Sequence, residues 1–236
     1  MIMRLSELRE RLQQLNAEGF VPSERSGPTG IGHTLETRLG LAENNLPIPD
    51  IGGRVEVKAT RSNTNNLITL FTFNRAVWKF KNKELVERWG YIDESRDRPA
   101  LYTTVSATES NAFGLQLSVS EDATQLFMTH TPSDTLLATW DMYYVVGKFV
   151  TKFERMLFVH ADSKRVEGKE YFHYNEAEIL SEPSSLTFRD GFANGIVTID
   201  IRMYLRPSGA ARNHGTGFRI LEQNLPKLFG TIDRIV

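Results

Sequence analysis

Residues 195–205 read Gly-Ile-Val-Thr-Ile-Asp-Ile-Arg-Met-Tyr-Leu, with apolar and polar side chains taking turns. Successive side chains of a strand point to opposite faces. This stretch is therefore constrained to a strand with Ile199, Ile201 and Met203 on one side and Asp200 and Arg202 on the other. A second short stretch, Arg54-Val55-Glu56-Val57-Lys58, has the same property. Its valines share one face, and Glu56 and Lys58 share the other, with Asp50 arriving from the loop before it.

Other segments fill in around these two. Leu5, Leu8, Leu12 and Leu15 recur at helical spacing, which predicts an amphipathic helix over 4–17 ended by Gly19. Residues 23–32 are turn-rich. A short helix is expected over 33–41, with Leu35 and Leu39 facing inward and Glu36 beside them. Strands are expected over 54–60, 67–73, 100–106, 113–119, 124–130 and 155–162. Helices are expected over 81–89, 139–153, 183–193 and 220–229, the third ended by Gly195. Residues 206–217 read as a polar loop. The order of elements predicts a mixed α/β fold, a sheet flanked by helices.

The chain has 236 residues, 40% of them hydrophobic, and no linker-like composition break, so a single domain over 1–236 is expected. It has no cysteine, which excludes disulfides and thiolate metal sites and fits a reducing cytosol. The N-terminal segment lacks the apolar region of a secretory signal, and no stretch has the apolar length to span a bilayer, so no membrane role is expected. A net charge of −1 counts against a nonspecific nucleic-acid binder. Two windows are locally basic: Arg75, Lys79, Lys81, Lys83 and Arg88, and Arg202, Arg206, Arg212 and Arg219. Each also reads as a solvated face.

Asp50, Glu56 and Lys58 have the composition that metal-dependent phosphodiester cleavage requires. Two carboxylates suit Mg²⁺, a hard cation that prefers oxygen ligands and keeps several waters. A lysine beside metal and phosphate can orient the attacking water and offset developing negative charge. The carbonyl of Val57, between Glu56 and Lys58, offers a further oxygen. The bare pattern arises by chance about once in a chain this long, so composition and spacing alone leave a solvated strand edge as the alternative.

The wider context is more specific. GPTGIGHTLETRLGLAENNLPIPDIGGRVEVKATR, followed closely by NLITLF, resembles the MvaI/BcnI family of type II restriction endonucleases. The similarity continues in RWGY, in TTVSATESNAFGLQL, and in VTIDIR and NHGTGFRI, and so spans nearly the whole chain. It extends to the mismatch-repair nicking endonuclease MutH, which shares the helix glutamate, the aspartate and the Glu-x-Lys elements. The resemblance implies a PD-(D/E)xK restriction-endonuclease-like core in a MutH-like two-lobed arrangement. The catalytic lobe would include about 20–160, and the strand and loop within 195–222 would contribute recognition.

By that resemblance Asp50, Glu56 and Lys58 form the catalytic centre, Asp50, Glu56 and Val57 hold the metal, and Glu36 supports the centre from the preceding helix. The gap from Asp50 to Glu56 is one residue longer than in close relatives, through Gly52-Gly53. Asp200, Arg202, His214 and Arg219 fall at the positions that read DNA. Arginine bridges guanine O6 and N7, and aspartate accepts from cytosine N4, which suits a short CC/GG-type site with a variable central pair. Arg61, Lys79, Lys81 and Arg212 are phosphate-contact candidates, each with a solvent-exposed alternative.

The implied function is sequence-specific double-strand DNA cleavage with Mg²⁺ (Mn²⁺ able to substitute), leaving 5′-phosphate ends. The enzyme would be a monomer in a prokaryotic cytoplasm, with a companion methyltransferase for the same site. The alternatives are a MutH-like strand-nicking enzyme and a catalytically silent DNA-binding protein. His33 is placed either against DNA or as a helix cap, and the Asn65-Asn66 pair as a turn. His130, His160 and His173 read as structural, and Trp78, Trp89 and Trp140 as packing residues.

Overall fold

The computed structural model describes residues 4–41, 49–62, 64, 66–73 and 76–236. Arg75 and Asn65 lie outside the described residues, as does the 42–48 part of the family-like stretch.

In chain order, the first elements are α1 (Leu5–Glu18), β1 (Val21–Pro22), α2 (Gly30–Arg38), β2 (Val55–Arg61), β3 (Leu67–Phe73) and β4 (Val77–Trp78). There follow α3 (Asn82–Trp89), β5 (Tyr91–Asp93), β6 (Arg98–Val105), β7 (Leu115–Val119), β8 (Gln125–His130), β9 (Thr135–Asp141) and α4 (Met142–Lys152). The chain closes with β10 (Arg155–Val166), β11 (Lys169–Pro183), α5 (Ser185–Ala193), β12 (Val197–Leu205), β13 (Ala211–Asn213), β14 (Thr216–Leu221) and β15 (Phe229–Arg234).

The described chain divides into two compact units. The first comprises 1–65, 150–184 and 225–236. Its sheet runs β1-β11-β10-β2, with β15 on the same edge of β11 as β1. β10 and β2 are parallel, and Arg155 to Ala161 face Val55 to Arg61 residue by residue. The hairpin of β10 and β11 turns at Glu167 and Gly168, both at positive φ. Leu8, Leu12 and Leu15 of α1 and Leu35 of α2 bury against Val57, Leu157, Val159 and Phe172. That core fixes the faces of β2: a one-residue slip would put Glu56 among leucines.

The second unit comprises 66–149 and 185–224. One sheet runs β3-β14-β12-β6-β5 with β13 on β12, and another runs β4-β9-β8-β7. An aromatic cluster fills the space under the first: Phe149 stacks on Phe188 at 4.2 Å, Phe188 meets Phe192 at 5.3 Å, and Phe218 stacks on Phe71 at 5.0 Å. Ile199, Ile201 and Met203 are at most 1% exposed, so the alternation read from the sequence is the buried face of β12.

Three sequence expectations need correction. The spacing over 139–153 predicts one helix, but Thr139, Trp140 and Asp141 end strand β9 and the helix starts at Met142. The Asp141 carboxylate accepts the Tyr143 N–H at 2.8 Å, satisfying a donor that the first helical turn leaves open. Residues 206–221 do not run from loop to helix: they pass through β13 and β14. Glu222–Leu228 is a 3₁₀ segment, with Pro226 inside it removing a backbone donor. Strands β11 and β15 complete the first sheet and were not anticipated.

Candidate active site

The first unit gathers the acidic centre. Asp50 stands just before a tight turn in which Gly52 (φ 58°) and Gly53 (φ 70°) both adopt the left-handed conformation that glycine tolerates. The turn folds the chain back along β2. Ile51 and Val55 exchange backbone hydrogen bonds of 2.9 and 3.2 Å, and the Val57 N–H donates to Asp50 Oδ2 at 2.8 Å. β2 is the last strand of its sheet. A strand residue's N–H and C=O point the same way, so the Val57 carbonyl faces the free edge along which Asp50 lies.

Glu56 occupies the opposite strand face from Val57 and is only 3% exposed. Lys58 Nζ donates to its Oε1 at 2.8 Å, as the shared face predicts. Lys152, at the end of α4, reaches the same oxygen at 3.1 Å. Oε2 is buried with no hydrogen-bond partner. An isolated buried carboxylate is costly; the two ammonium groups offset that cost at Oε1 and leave Oε2 unserved. Asp50 titrates above the usual carboxylate range, first because it is buried and then because the Glu56 charge is close; the Val57 N–H, Lys58 and Lys152 pull the other way. A carboxyl held up by burial beside a second carboxylate is a site that a divalent cation would stabilise.

The available donors fit a hard cation: Asp50, the free Glu56 oxygen and the Val57 carbonyl. Among the described residues no group of three or more His, Cys, Asp or Glu could hold a metal, so water would complete the coordination. Glu36 of α2 lines a cleft of about 330 Å³ shared with His33, Val57, Lys58 and Ala59. The helix and strand thus bring Glu36 and Lys58 to one recess. His33 lies inside α2 rather than at its cap.

Arg61 does not join this centre. Its guanidinium grips Glu170 through two bonds of 2.7 and 2.9 Å and lies 5.2 Å over the Phe172 ring. The arginine in turn holds the Glu170 carboxyl below its usual range. Lys152 is the residue that sequence reading missed. It lies 94 positions beyond Lys58 in the chain, and no local pattern marks it apart from any lysine in a last helical turn.

The second unit gathers the candidate reading residues on the polar face of β12. Asp200 accepts the Thr104 hydroxyl at 2.7 Å and the Arg219 guanidinium at 2.6 Å. Arg219 also donates to the Leu67 carbonyl, while its Nε is buried without a partner. Arg202 donates to Thr72 Oγ1 at 2.7 Å and to the carbonyls of Gly215 and His214. His214 is exposed and stacks on Tyr204 at 5.7 Å. Partial burial and then the charges of Arg212, Arg202 and Arg98 hold His214 below the ordinary histidine range. Asp200 and Arg219 thus form a bonded pair across β12 and β14, and Arg202, next on the same face of β12, is tied instead to Thr72 and to the backbone of His214 and Gly215.

The remaining histidines have structural partners: Ser133 for His130, Phe158 for His160 and Asn16 for His173. Trp140 is fully buried, with Trp78 edge-on at 5.9 Å.

The fold is that of a restriction endonuclease. It matches the solved complex of restriction endonuclease MvaI with cognate DNA at a TM-score of 0.81 and 27% identity, over 100% of both chains. It matches MvaI solved without DNA at 0.60 and 26% identity, over 100% of this chain and 99% of that one. The model of the MvaI/BcnI restriction endonuclease family covers residues 9–229, and the chain belongs to that family. It is accordingly a type II site-specific deoxyribonuclease. No curated protein matches the chain.

Proposed function

We propose that the enzyme cleaves double-stranded DNA at a short CC/GG-type site with a variable central pair, using Mg²⁺ held by Asp50, Glu56 and Val57. The observation that carries this reading is Glu56: nearly buried, held by two lysines through Oε1, and with Oε2 unpartnered beside the raised-pKa Asp50. When bound, Mg²⁺ polarises the phosphoryl oxygen and makes water more acidic. Lys58 orients the attacking water and offsets charge on the pentacovalent phosphorus. Glu36 supports from the cleft wall. Attack in line leaves 5′-phosphate and 3′-hydroxyl ends.

Asp200, Arg202 and Arg219 supply the donors and acceptors that distinguish G·C pairs in the major groove, and His214 contacts the DNA near the central pair. Support for duplex DNA comes from the matched MvaI structure, which is a complex with cognate DNA. Family likeness supports a monomer whose site a companion methyltransferase protects. The test is to digest plasmid with Mg²⁺ and sequence the fragment ends. One repeated CC/GG-containing sequence with 5′-phosphates is the expected result. Nicked circles alone would support a MutH-like enzyme, and duplex binding without cleavage a silent DNA-binding protein.

A further inference from the structure

The polar face of β12 does not end at Arg202. Two residues on, Tyr204 lies under the Arg98 guanidinium, whose charge centre is 3.6 Å from the ring centroid. Tyr102 of β6 stacks at 6.5 Å and His214 at 5.7 Å from the same ring. Arg212 of β13 is the direct cross-strand partner of Tyr204. Side chains on directly paired residues share a sheet face, so Arg98 and Arg212 flank one tyrosine.

Arg98 is the unusual member. Its Nε is buried without a partner, and the described residues offer its side chain no hydrogen bond or ion pair. Asp93, which feels its charge, is already engaged by Ser95 at 2.6 Å and Arg96 at 3.0 Å. Stacking on an aromatic ring fixes the plane of a guanidinium while leaving its donors unused, and that geometry suits bidentate capture of a phosphate. Asp200, further along the same face of β12, is likewise engaged, by Arg219 and Thr104.

We propose that Arg98, held on Tyr204, is a DNA-backbone contact at the end of the reading row. This inference rests on the endonuclease reading above. Such a contact positions the duplex and carries no sequence information itself. A lone surface arginine would do the same without a ring beneath it, so Tyr204 is the part that makes Arg98 a built contact.

The test measures binding in EDTA, across a salt series, to a duplex bearing the cleaved sequence and to a scrambled duplex. Arg98→Ala should weaken both by a similar factor, roughly tenfold at moderate salt. The slope of log affinity against log salt should fall by about 1. Arg98→Lys, which keeps the charge and loses the fork, should keep the slope and lose part of the affinity. Tyr204→Phe, which keeps the ring, should match the parent, whereas Tyr204→Leu should behave like a weaker Arg98→Ala. Thermal melts identify any variant that fails to fold, and Arg98→Lys then carries the test.

Unchanged affinity and slope in a folded Arg98→Ala protein would overturn the proposal. A loss confined to the cleaved sequence would also overturn it, because that marks a base reader. Failure of the parent protein to bind either duplex would overturn this inference, whereas equal binding to both would count only against base reading by Asp200, Arg202 and Arg219 and leave the Arg98 variants to decide the backbone contact.

Discussion

Lys152 Nζ lies 3.1 Å from Glu56 Oε1, the same carboxylate oxygen that Lys58 takes at 2.8 Å. One lysine comes from the strand that carries Glu56, the other from the end of a helix far along the chain. Both charges neutralise a side chain that is 3% exposed, and both would compete with the proposed metal for its electrons.

Lys152→Met should therefore separate two effects. Loss of a charge-assisted hydrogen bond to a buried carboxylate should cost about 1–3 kcal/mol, read by denaturant unfolding. The Mg²⁺ concentration for half-maximal cleavage should move down, since one competing cation is gone, while Glu56→Gln moves it up or abolishes cleavage. An upward shift in Lys152→Met would make Lys152 a contributor to metal binding by another route.

Asp50 gives a pH prediction with a definite sign. Its folded pKa is raised by burial and by Glu56, so the folded state binds more protons than the unfolded state just above the unfolded value. Stability contributed by this group is thus lost as pH rises from the unfolded pKa through the folded one, and stays lost at neutral pH. Asp50→Asn should melt higher than the parent in EDTA at pH 7. It should also lose the rise in Tm that Mg²⁺ gives the parent. A variant less stable in EDTA would show that the Val57 N–H bond outweighs the burial.

On the proposed reading face, Arg219 donates to Asp200 at 2.6 Å and leaves Nε without a partner. Arg219→Lys keeps the charge and removes the fork. Discrimination at one G·C pair should fall by about 1–3 kcal/mol while the salt slope is kept. Cleavage assays on duplexes with single substitutions in the site would show it. An equal loss across all sequences would instead mark Arg219 as a structural brace for Asp200.

The sequence carried the parts of this arrangement that depend on near neighbours. Val55 to Lys58 alternate, so Glu56 and Lys58 had to share a face, and the glycine pair had to turn the chain. β12 was legible for the same reason. What it did not carry was long-range. β11 mixes polar and apolar residues without a steady alternation, β1 and β15 each pair with only part of one of its edges, and its pairing with β10 has a register shift between His160 and Ala161. Leu225 and Leu228 look helical by spacing, yet Pro226 between them admits only a 3₁₀ segment. Lys152 and Arg98 acquire meaning only through Glu56 and Tyr204, which no local period connects to them.

The most direct test is supercoiled plasmid incubated with parent protein, Lys58→Ala and Glu56→Gln, each with Mg²⁺ and with EDTA. The expected result is discrete linear fragments from the parent with Mg²⁺ only, and at least a hundredfold loss in both variants despite native melting curves. Cleavage by the parent in EDTA, or near-normal cleavage by folded Glu56→Gln, would contradict a metal centre built on Asp50 and Glu56.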